Sequence, residues 1–516
     1  MNSSLRGRRR APAILSLICL VVCQSLPGGL AAPRVRRDAP IQQQAALPQL
    51  PRDAAVLIAE TYHLRQTLGE KVWTGWTQVS VPFIYVTDDY EYAVGFPKSL
   101  QGYTPLGQDA LLDKTVQARK RIFGTHTAAS FPYEDVPTVV IGTPSALEKS
   151  PTAWALTASH EMFHVLQDSR GGIRKVEQLK IGSNSDPGWQ LNFPFPYKDA
   201  DVMRLIHLQG YPLYLATTDA DETGVKYDAG TAADAVRVYR SFLKQESPEG
   251  KFYDYSRFQE WQEGIAFYTE YRVAELAAKG DYQPTEAFMQ LPGYKSYRQV
   301  WDEDYKNRTF LIKHAGRAAQ SRTAFYHLGL GKGLLLDRLM PDWKTRYFAP
   351  GVWLDDLVFA ALGQPDEIPT LTVGSAAPDF NLTDTAGAAV SLAQYRGQVV
   401  LLDFWQTWCV PCVEAIPHLK SLQEKYRSQG LVVLGVTDRL DADGLATLRK
   451  FASEYRINYP LLVDVKGTTT AQFLVSGYPH TYLIDRGGRI TFDRHGAITE
   501  AELEPEIQKA LRGASR

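Results

Sequence analysis

The chain has 516 residues, which is too long for one hydrophobic core and indicates two or three domains. Hydrophobic residues make up 44% and charged residues 22% of the chain, proportions that are ordinary for soluble globular proteins and exclude a mainly disordered chain. Lys and Arg number 56 against 57 Asp and Glu, so the formal net charge of -1 gives no electrostatic reason to expect a nucleic acid as partner.

The first 32 residues have the organisation of an export signal. Arginines at positions 6, 8, 9 and 10 precede an apolar run over residues 13–22 that is too short to cross a bilayer. The segment Gly29-Leu30-Ala31-Ala32 then supplies small residues for a cleavage site. We therefore expect a signal peptide over residues 1–32 and an extracytoplasmic protein, periplasmic or secreted. An uncleaved N-terminal membrane anchor is the alternative.

Residues 33–51, rich in Pro, Ala, Gln and Arg, predict a linker or pro-segment. Residues 52–364 predict one mostly helical α+β domain with a small sheet. Its predicted helices cover residues 54–68, 154–167, 235–245, 260–279 and 323–339, and its predicted strands cover 79–86 and 138–141. Residues 180–234 show little periodicity, so no element is predicted there.

The predicted helix over residues 154–167 carries His160, Glu161 and His164 as a His-Glu-x-x-His motif. Imidazoles four positions apart share one helix face, so both histidines can bind one zinc ion. Glu161 can then act as the base on a zinc-bound water. Because so short a motif also arises by chance, the alternative is a helix with two ordinary histidines.

Zinc in an open catalytic site needs a third protein ligand. Residues 260–270, EWQEGIAFYTE, resemble the Glu-Gly-x-Ala-x-Tyr segment of gluzincin metallopeptidases, in which the Glu before the Gly binds zinc. The resemblance implies a zincin-like domain with Glu263 as the third ligand, Glu270 as its support, and peptides as substrates if the site is active. The separation from His164 is longer than in the best-known gluzincins.

Two less specific features belong to the same domain. Residues 329–333, GLGKG, superficially resemble a phosphate loop but lack its spacing, so close helix packing is predicted there instead. Three side chains can polarise a substrate carbonyl, and the sequence does not select among Tyr268, Tyr326 and His327.

Residues 365–378, rich in Pro and Gly, predict a second linker. After it, residues 372–516 alternate between predicted strands and helices. The strands cover residues 399–405, 431–436, 482–485 and 489–492, and the helices cover 412–427, 443–455 and 501–511. Such alternation predicts an α/β sheet domain.

Trp408-Cys409-Val410-Pro411-Cys412 follows the apolar run over residues 399–405. The other two cysteines, at positions 19 and 23, lie in the predicted signal peptide. A zinc site would need two more Cys or His ligands at suitable spacing, and the chain has no second Cys pair. The pair is also too close in sequence to staple a domain. We therefore predict that this pair opens and closes in redox chemistry.

Three segments of the C-terminal domain resemble the extracytoplasmic thioredoxin-like proteins of the TlpA/ResA type: APDFNL at 377–382, DFWQTWCVPC at 403–412 and GYPHTYLID at 477–485. The resemblance implies a thioredoxin-like fold, thiol–disulfide exchange with disulfide-bearing protein substrates, and a membrane thiol electron donor if the pair acts as reductant. A peroxiredoxin is the competing family, but Leu402 and Gln406 stand where peroxiredoxins carry Pro and Thr.

The chemistry assigns a role to each residue of this candidate site. A helix that begins near Cys409 favours its thiolate, which makes Cys409 the nucleophile beside Trp408. Cys412, one turn further, resolves the mixed disulfide. By resemblance, Pro479 is a cis-proline opposite the pair. Asp403 is either a buried carboxyl that relays the proton of Cys412 or a strand-end carboxyl bonded to backbone.

Three functions follow as hypotheses. The first is an exported thiol–disulfide oxidoreductase fused to a zincin-like domain. Zinc is then the cofactor of the N-terminal domain, and the redox domain needs only its own disulfide. The second is a zinc peptidase with an accessory thioredoxin-like domain. The third is a non-enzymatic binding protein of the cell envelope.

Overall fold

The computed structural model describes residues 47–182, 188–247, 249–316, 321–364, 371–438, 442–465, 467–475 and 478–513. The predicted signal peptide, and the predicted linker up to residue 46, lie outside the described residues. No helix within the described residues is long and apolar enough to span a membrane. The described residues divide into two compact units, the first within Met1–Ser169 and Val273–Val300 and the second within Arg170–Arg272 and Trp301–Arg516.

The helices of the described residues are, in chain order, α1 Arg52–Val72, α2 Pro151–Ser169, α3 Gly172–Leu179, α4 Trp189–Asn192, α5 Ala200–Thr218, α6 Glu222–Glu246, α7 Lys251–Gln259, α8 Ile265–Lys279, α9 Glu286–Met289, α10 Tyr297–Val300, α11 Arg308–Lys313, α12 Thr323–Leu339, α13 Trp343–Tyr347, α14 Leu354–Leu362, α15 Val410–Tyr426, α16 Ala442–Glu454, α17 Thr468–Gln472 and α18 Glu500–Arg512. π-Helical turns lie at Glu260–Gly264 and Trp301–Tyr305.

The strands of the described residues are β1 Phe83–Val86, β2 Tyr90–Val94, β3 Thr104–Asp109, β4 Lys114–Lys120, β5 Ala128–Tyr133, β6 Val136–Gly142, β7 Asn381–Asp384, β8 Ala389–Ser391, β9 Val399–Phe404, β10 Leu431–Asp438, β11 Leu461–Asp464, β12 His480–Ile484 and β13 Ile490–His495. They form one sheet in each unit.

The sheet of the first unit has six strands in the order β3-β4-β2-β1-β6-β5, with β1 and β6 parallel and the other neighbours antiparallel. Helix α2 packs on β5 and β6 and also contacts α1. The indole N–H of Trp154 donates to the carbonyl of Gly142 at 2.7 Å, which ties the first turn of α2 to the end of β6. The sheet and α1 therefore hold the helix that carries the His-Glu-x-x-His motif.

The prediction of a small sheet was wrong in extent, because β2 to β5 were not foreseen. For β3 and β5 the burial patterns explain the omission, since both strands are mostly exposed or half-buried and show no clear apolar alternation. The strand predicted over residues 79–86 begins only at Phe83, and residues 79–82 connect it to the 3₁₀ turn Trp76–Gln78.

Residues 180–234, where no element was predicted, contain α4, α5 and the start of α6. The carboxylate of Asp199 caps α5 by accepting from the N–H groups of Asp201 and Val202, and Asp221 caps α6 in the same way. Gly210 and Pro212 lie inside α5, and both residue types have low helix propensity, so the sequence did not predict this helix. Tertiary packing overrides that propensity, since a Cβ on Gly210 would lie 2.3 Å from the carbonyl oxygen of Ile312.

Helix α12 packs closely against the π-helical turn Glu260–Gly264, which confirms the packing role predicted for residues 329–333. A Cβ on Gly329 would lie 2.5 Å from the Cα of Gly264. Lys332, on the same helix, forms buried ion pairs with Glu260 and Asp355. The glycines therefore serve helix contact, and the lysine pairs with carboxylates.

The sheet of the C-terminal region has seven strands in the order β13-β12-β9-β10-β11-β7-β8. The central strands β9, β10 and β11 are parallel, and β12 runs antiparallel to β9. Along β9, Val399 and Leu401 enter one buried apolar cluster, and Val400, Leu402 and Phe404 enter the other. Because both faces of the sheet are covered, β9 is buried along its whole length and apolar except at Asp403, as expected for a buried parallel strand.

The alternating α/β prediction for residues 372–516 is confirmed, with the ends of the predicted elements displaced by a few residues, but it missed strands β7, β8 and β11 and helix α17. The displaced element end that matters most for the candidate site is the start of α15, which lies at Val410 and not at the predicted Cys412. This start places both cysteines within the first turn of the helix and its cap.

Candidate active site and candidate metal ligands

Cys409 is the N-cap of α15. Its Sγ accepts a hydrogen bond from the N–H of Cys412 at 3.3 Å, and its own N–H donates to the carbonyl of Gln406 at 3.1 Å. Pro411 stands in the first turn, where the N–H that proline lacks would have no partner within the helix. Cys409 and Cys412 are joined as a disulfide, with their Cα atoms 5.2 Å apart. The helix start thus directs N–H dipoles at the sulfur predicted to be the nucleophile.

Both cysteines are buried, whereas the residues on either side of Cys409 are exposed. Cys409 is 5% exposed and Cys412 1%, whereas Trp408 is 67% and Val410 66% exposed. Cys412 is therefore the more shielded of the pair, in the order expected for a resolving thiol. Trp408 and Val410 supply the apolar surface beside the disulfide.

The peptide bond between Tyr478 and Pro479 is cis, as the resemblance implied. The ring of Tyr478 meets the ring of Trp408 edge-on, with centroids 6.0 Å apart and planes at 84°. The carbonyl of Pro479 accepts a hydrogen bond from the N–H of Gly496 at 2.8 Å. The loop that carries the cis-proline therefore lies beside the turn that carries the disulfide.

Asp403 is buried on β9, opposite Thr481 of β12 in the sheet register. The hydroxyl of Thr481 donates to its carboxylate at 2.9 Å, so its hydrogen-bond partner is a neighbouring side chain. Burial raises the pKa of Asp403 to about 7, and the Thr481 hydrogen bond opposes that rise. A carboxyl with this pKa can bind and release a proton near neutral pH. Sequence patterns did not single out Thr481, because its pairing depends on sheet register.

On α2, His160, Glu161 and His164 are all buried. The two imidazole rings have centroids 5.0 Å apart and planes at 75°, as expected for positions that share a helix face. The Nδ1 of His164 lies 2.6 Å from the Oε1 of Gln167. An amide oxygen only accepts, so Nδ1 carries the proton and the lone pair is on Nε2, the tautomer that suits a metal ligand. Gln167 follows His164 by three positions, a spacing that could have identified it.

In the second unit, Glu263 is half-buried in the π-helical turn Glu260–Gly264 that precedes α8. Glu270, the expected support, accepts from Arg308 at 3.2 Å and from the hydroxyl of Tyr305. Tyr268 is buried with its hydroxyl donating to Asp337 at 2.6 Å, so it is not available to polarise a substrate. Burial also lowers the pKa of His327 to about 4.

Comparison with known proteins concerns the C-terminal region. The model of the AhpC/TSA family matches residues 373–492. Thiol-disulfide oxidoreductase ResA of Geobacillus kaustophilus is 33% identical over 142 residues, which cover 28% of this chain and 80% of that protein. Thioredoxin-like protein YneN of Bacillus subtilis is 37% identical over 134 residues, 26% of this chain and 78% of that protein.

Among solved structures, a putative thiol:disulfide interchange protein DsbE of Chlorobium tepidum shares 35% identity over 28% of this chain and 99% of its own, with a TM-score of 0.26. The ResA match exceeds 30% identity over most of the relative's length, and the residues matched by the AhpC/TSA model include the cysteine pair described above. Through its C-terminal thioredoxin-like domain, the chain therefore belongs to the family of the ResA thiol-disulfide oxidoreductases.

Proposed function

We propose that this protein is an exported thiol–disulfide oxidoreductase that acts on disulfide-bearing protein substrates through Cys409 and Cys412. The observation that carries the proposal is the disulfide at the N-terminal end of α15, where the unpaired N–H groups stabilise a thiolate. Membership of the ResA family supports the reaction type, and the export signal predicted from the sequence supports an extracytoplasmic location.

The proposed cycle moves two electrons from the enzyme to its substrate. The Cys409 thiolate attacks one sulfur of the substrate disulfide; the substrate S–S bond breaks, and the departing sulfur leaves as a thiolate that takes a proton from water. Cys412 then loses its proton and attacks the Sγ of Cys409. The mixed disulfide breaks, the second substrate thiol leaves, and the enzyme is left oxidised. A membrane thiol donor is proposed to return the two electrons.

Asp403 is proposed to receive the proton that Cys412 loses. The carboxylate form is required for this step, and a pKa of about 7 makes that form available near neutral pH. Because the carboxyl is buried, it is shielded from bulk solvent and from the substrate. The proton then passes on when the pair is reduced again.

Insulin reduction by the full chain tests the proposal. Cys409→Ser should abolish the activity, since no thiolate remains to attack. Cys412→Ser should instead accumulate a mixed disulfide with the substrate, visible on a non-reducing gel and removed by dithiothreitol. A Cys409→Ser protein as active as wild type would overturn the mechanism.

We also propose that the three ligands predicted from the sequence, His160, His164 and Glu263, hold zinc for peptide hydrolysis. Two imidazoles and one carboxylate are a donor set that catalytic zinc uses, and the two imidazoles share one face of α2 with ring centroids 5.0 Å apart. The Gln167 contact supports the proposal by orienting the His164 ring. Zinc would activate a water, and Glu161 would take its proton.

Metal analysis tests the zinc proposal before any peptidase assay. The purified chain should hold about one zinc, in line with a single three-ligand site. His164→Ala should lose the metal, whereas His126→Ala, a change at an exposed histidine of the same unit, should keep it. Zinc content that is unchanged in His164→Ala would overturn the assignment. If zinc binds, Glu161→Gln should retain the metal and lose peptide hydrolysis.

A further inference from the structure

One edge of the C-terminal sheet gathers the ends of three strands. Because β9 and β10 are parallel, both end at this edge, and β12, antiparallel to β9, begins there. The turn to the disulfide leaves β9 at this edge, and the cis-proline immediately precedes β12. The last residue of the central strand β10 is Asp438, which is 4% exposed.

The carboxylate of Asp438 is bonded to both flanking loops. Its Oδ1 accepts from the hydroxyl of Tyr478 at 2.6 Å and from the side-chain amide of Gln406. The same amide lies 3.2 Å from the backbone carbonyl of Asp438. Gln406 in turn accepts the N–H of Cys409 through its own carbonyl. One oxygen thus connects the disulfide turn to the residue before the cis-proline.

These bonds set the position of the exposed aromatic surface. Tyr478 is held by Asp438 on one side and meets the ring of Trp408 on the other. Apart from this ring contact, Trp408 is largely exposed to solvent. Without the carboxylate, the hydroxyl of Tyr478 and the buried amide of Gln406 would lose an acceptor, and each would be free to turn toward another partner.

We propose that Asp438 is a positioning residue that fixes the spacing between the disulfide turn and the cis-proline loop, so that the site accepts an extended protein segment between them. The inference rests on the proposed reductase function and names the substrate feature that the site selects. A protein chain must contact Trp408 and the cis-proline loop together, whereas a small disulfide needs only the sulfur of Cys409. Asp438 should therefore matter for protein substrates and not for small disulfides.

The test compares two substrates in the full chain. For Asp438→Ala we expect the KM for insulin to rise about tenfold, a loss of about 1.4 kcal/mol of binding. The rate with the small disulfide dithionitrobenzoate should stay within about twofold of wild type. The equilibrium constant for reducing the Cys409–Cys412 disulfide, which sets its reduction potential, should also stay within about twofold. Asp438→Asn should restore insulin reduction, because its Oδ1 can accept both hydrogen bonds.

Asp464→Ala is the matched control. Asp464 ends the neighbouring strand β11, is similarly buried, and bonds to Thr468 and Thr470 instead of the disulfide loops. It should lower the Tm without changing the KM for insulin. Equal loss of both substrates in Asp438→Ala, or failure of Asp438→Asn to rescue, would overturn the positioning role. If wild type reduces insulin and Asp438→Ala has the same KM for insulin, only the positioning role is overturned. If wild type does not reduce insulin, the reductase proposal is overturned as well.

Discussion

At the scale of single residues, the buried Asp403 carboxyl links folding to pH. Its pKa is raised to about 7 by burial, whereas an exposed aspartate ionises near pH 3.8. As pH rises between these values, the unfolded chain loses this proton and the folded chain keeps it. The free energy of unfolding therefore falls through this window and levels off above it.

Asp403→Asn should remove that dependence. Relative to wild type, the variant should gain up to about 4 kcal/mol of stability between pH 4 and pH 8, since each pKa unit corresponds to about 1.4 kcal/mol. Urea unfolding at several pH values, followed by far-UV circular dichroism, measures the difference. Parallel stability curves for the two proteins would show that Asp403 is not the titrating group. Insulin reduction should also slow in the variant, because the proton acceptor is gone.

Gln167 gives a second prediction at this scale. Its Oε1 accepts from the Nδ1 of His164 and holds the tautomer that a zinc ligand needs. Gln167→Leu should weaken zinc binding by about 10–100-fold, the usual effect of losing such a partner. Competition with a chromophoric chelator measures the affinity. Zinc affinity equal to wild type would show that the amide does not orient the ring.

At the scale of elements, the contact between α12 and the π-helical turn depends on glycine. A Cβ on Gly329 would lie 2.6 Å from the carbonyl oxygen of Glu260 as well as 2.5 Å from the Cα of Gly264, and neither backbone atom can rotate away. Gly329→Ala should therefore destabilise the protein by about 1–3 kcal/mol, the range for overpacking. Because this turn carries Glu263, zinc affinity should fall in the same variant.

Gly230→Ala is the control for this prediction. Gly230 lies inside α6, and the nearest atom to its added Cβ would be the side-chain amide nitrogen of Gln364 at 3.5 Å, an ordinary contact. The change should stabilise the protein by about 0.5–1 kcal/mol, because alanine favours the helix over glycine. Denaturation midpoints compare the two variants. If both shift in the same direction, the close approach at Gly329 is not what limits the substitution.

At the scale of the whole molecule, the two proposed sites make separate chemical demands. The proposed exchange at the cysteine pair needs no metal, and the proposed zinc ligands include no thiol. Chelation with EDTA should therefore remove zinc and leave the rate of insulin reduction within about twofold, a change too small to reflect a lost ligand. A large fall in reductase rate after chelation, restored by added zinc, would contradict this independence.

The sequence by itself determined the features that depend on local spacing and composition. The Cys-Val-Pro-Cys run, the mostly apolar strand before it and the α/β alternation after residue 372 are all found in the structure. Two histidines four positions apart on one helix face are equally local. The periods of strands and helices are short-range properties, so they can be read from the order of residues.

Only the tertiary structure decided which distant residues meet. Thr481 reaches Asp403 through sheet register, and Asp438 joins the disulfide turn to Tyr478 because three strand ends share one edge. Helix α5 persists despite its glycine and proline because neighbouring helices pack against it. These outcomes depend on contacts between residues far apart in the chain, and the local periodicity of the sequence does not specify such contacts.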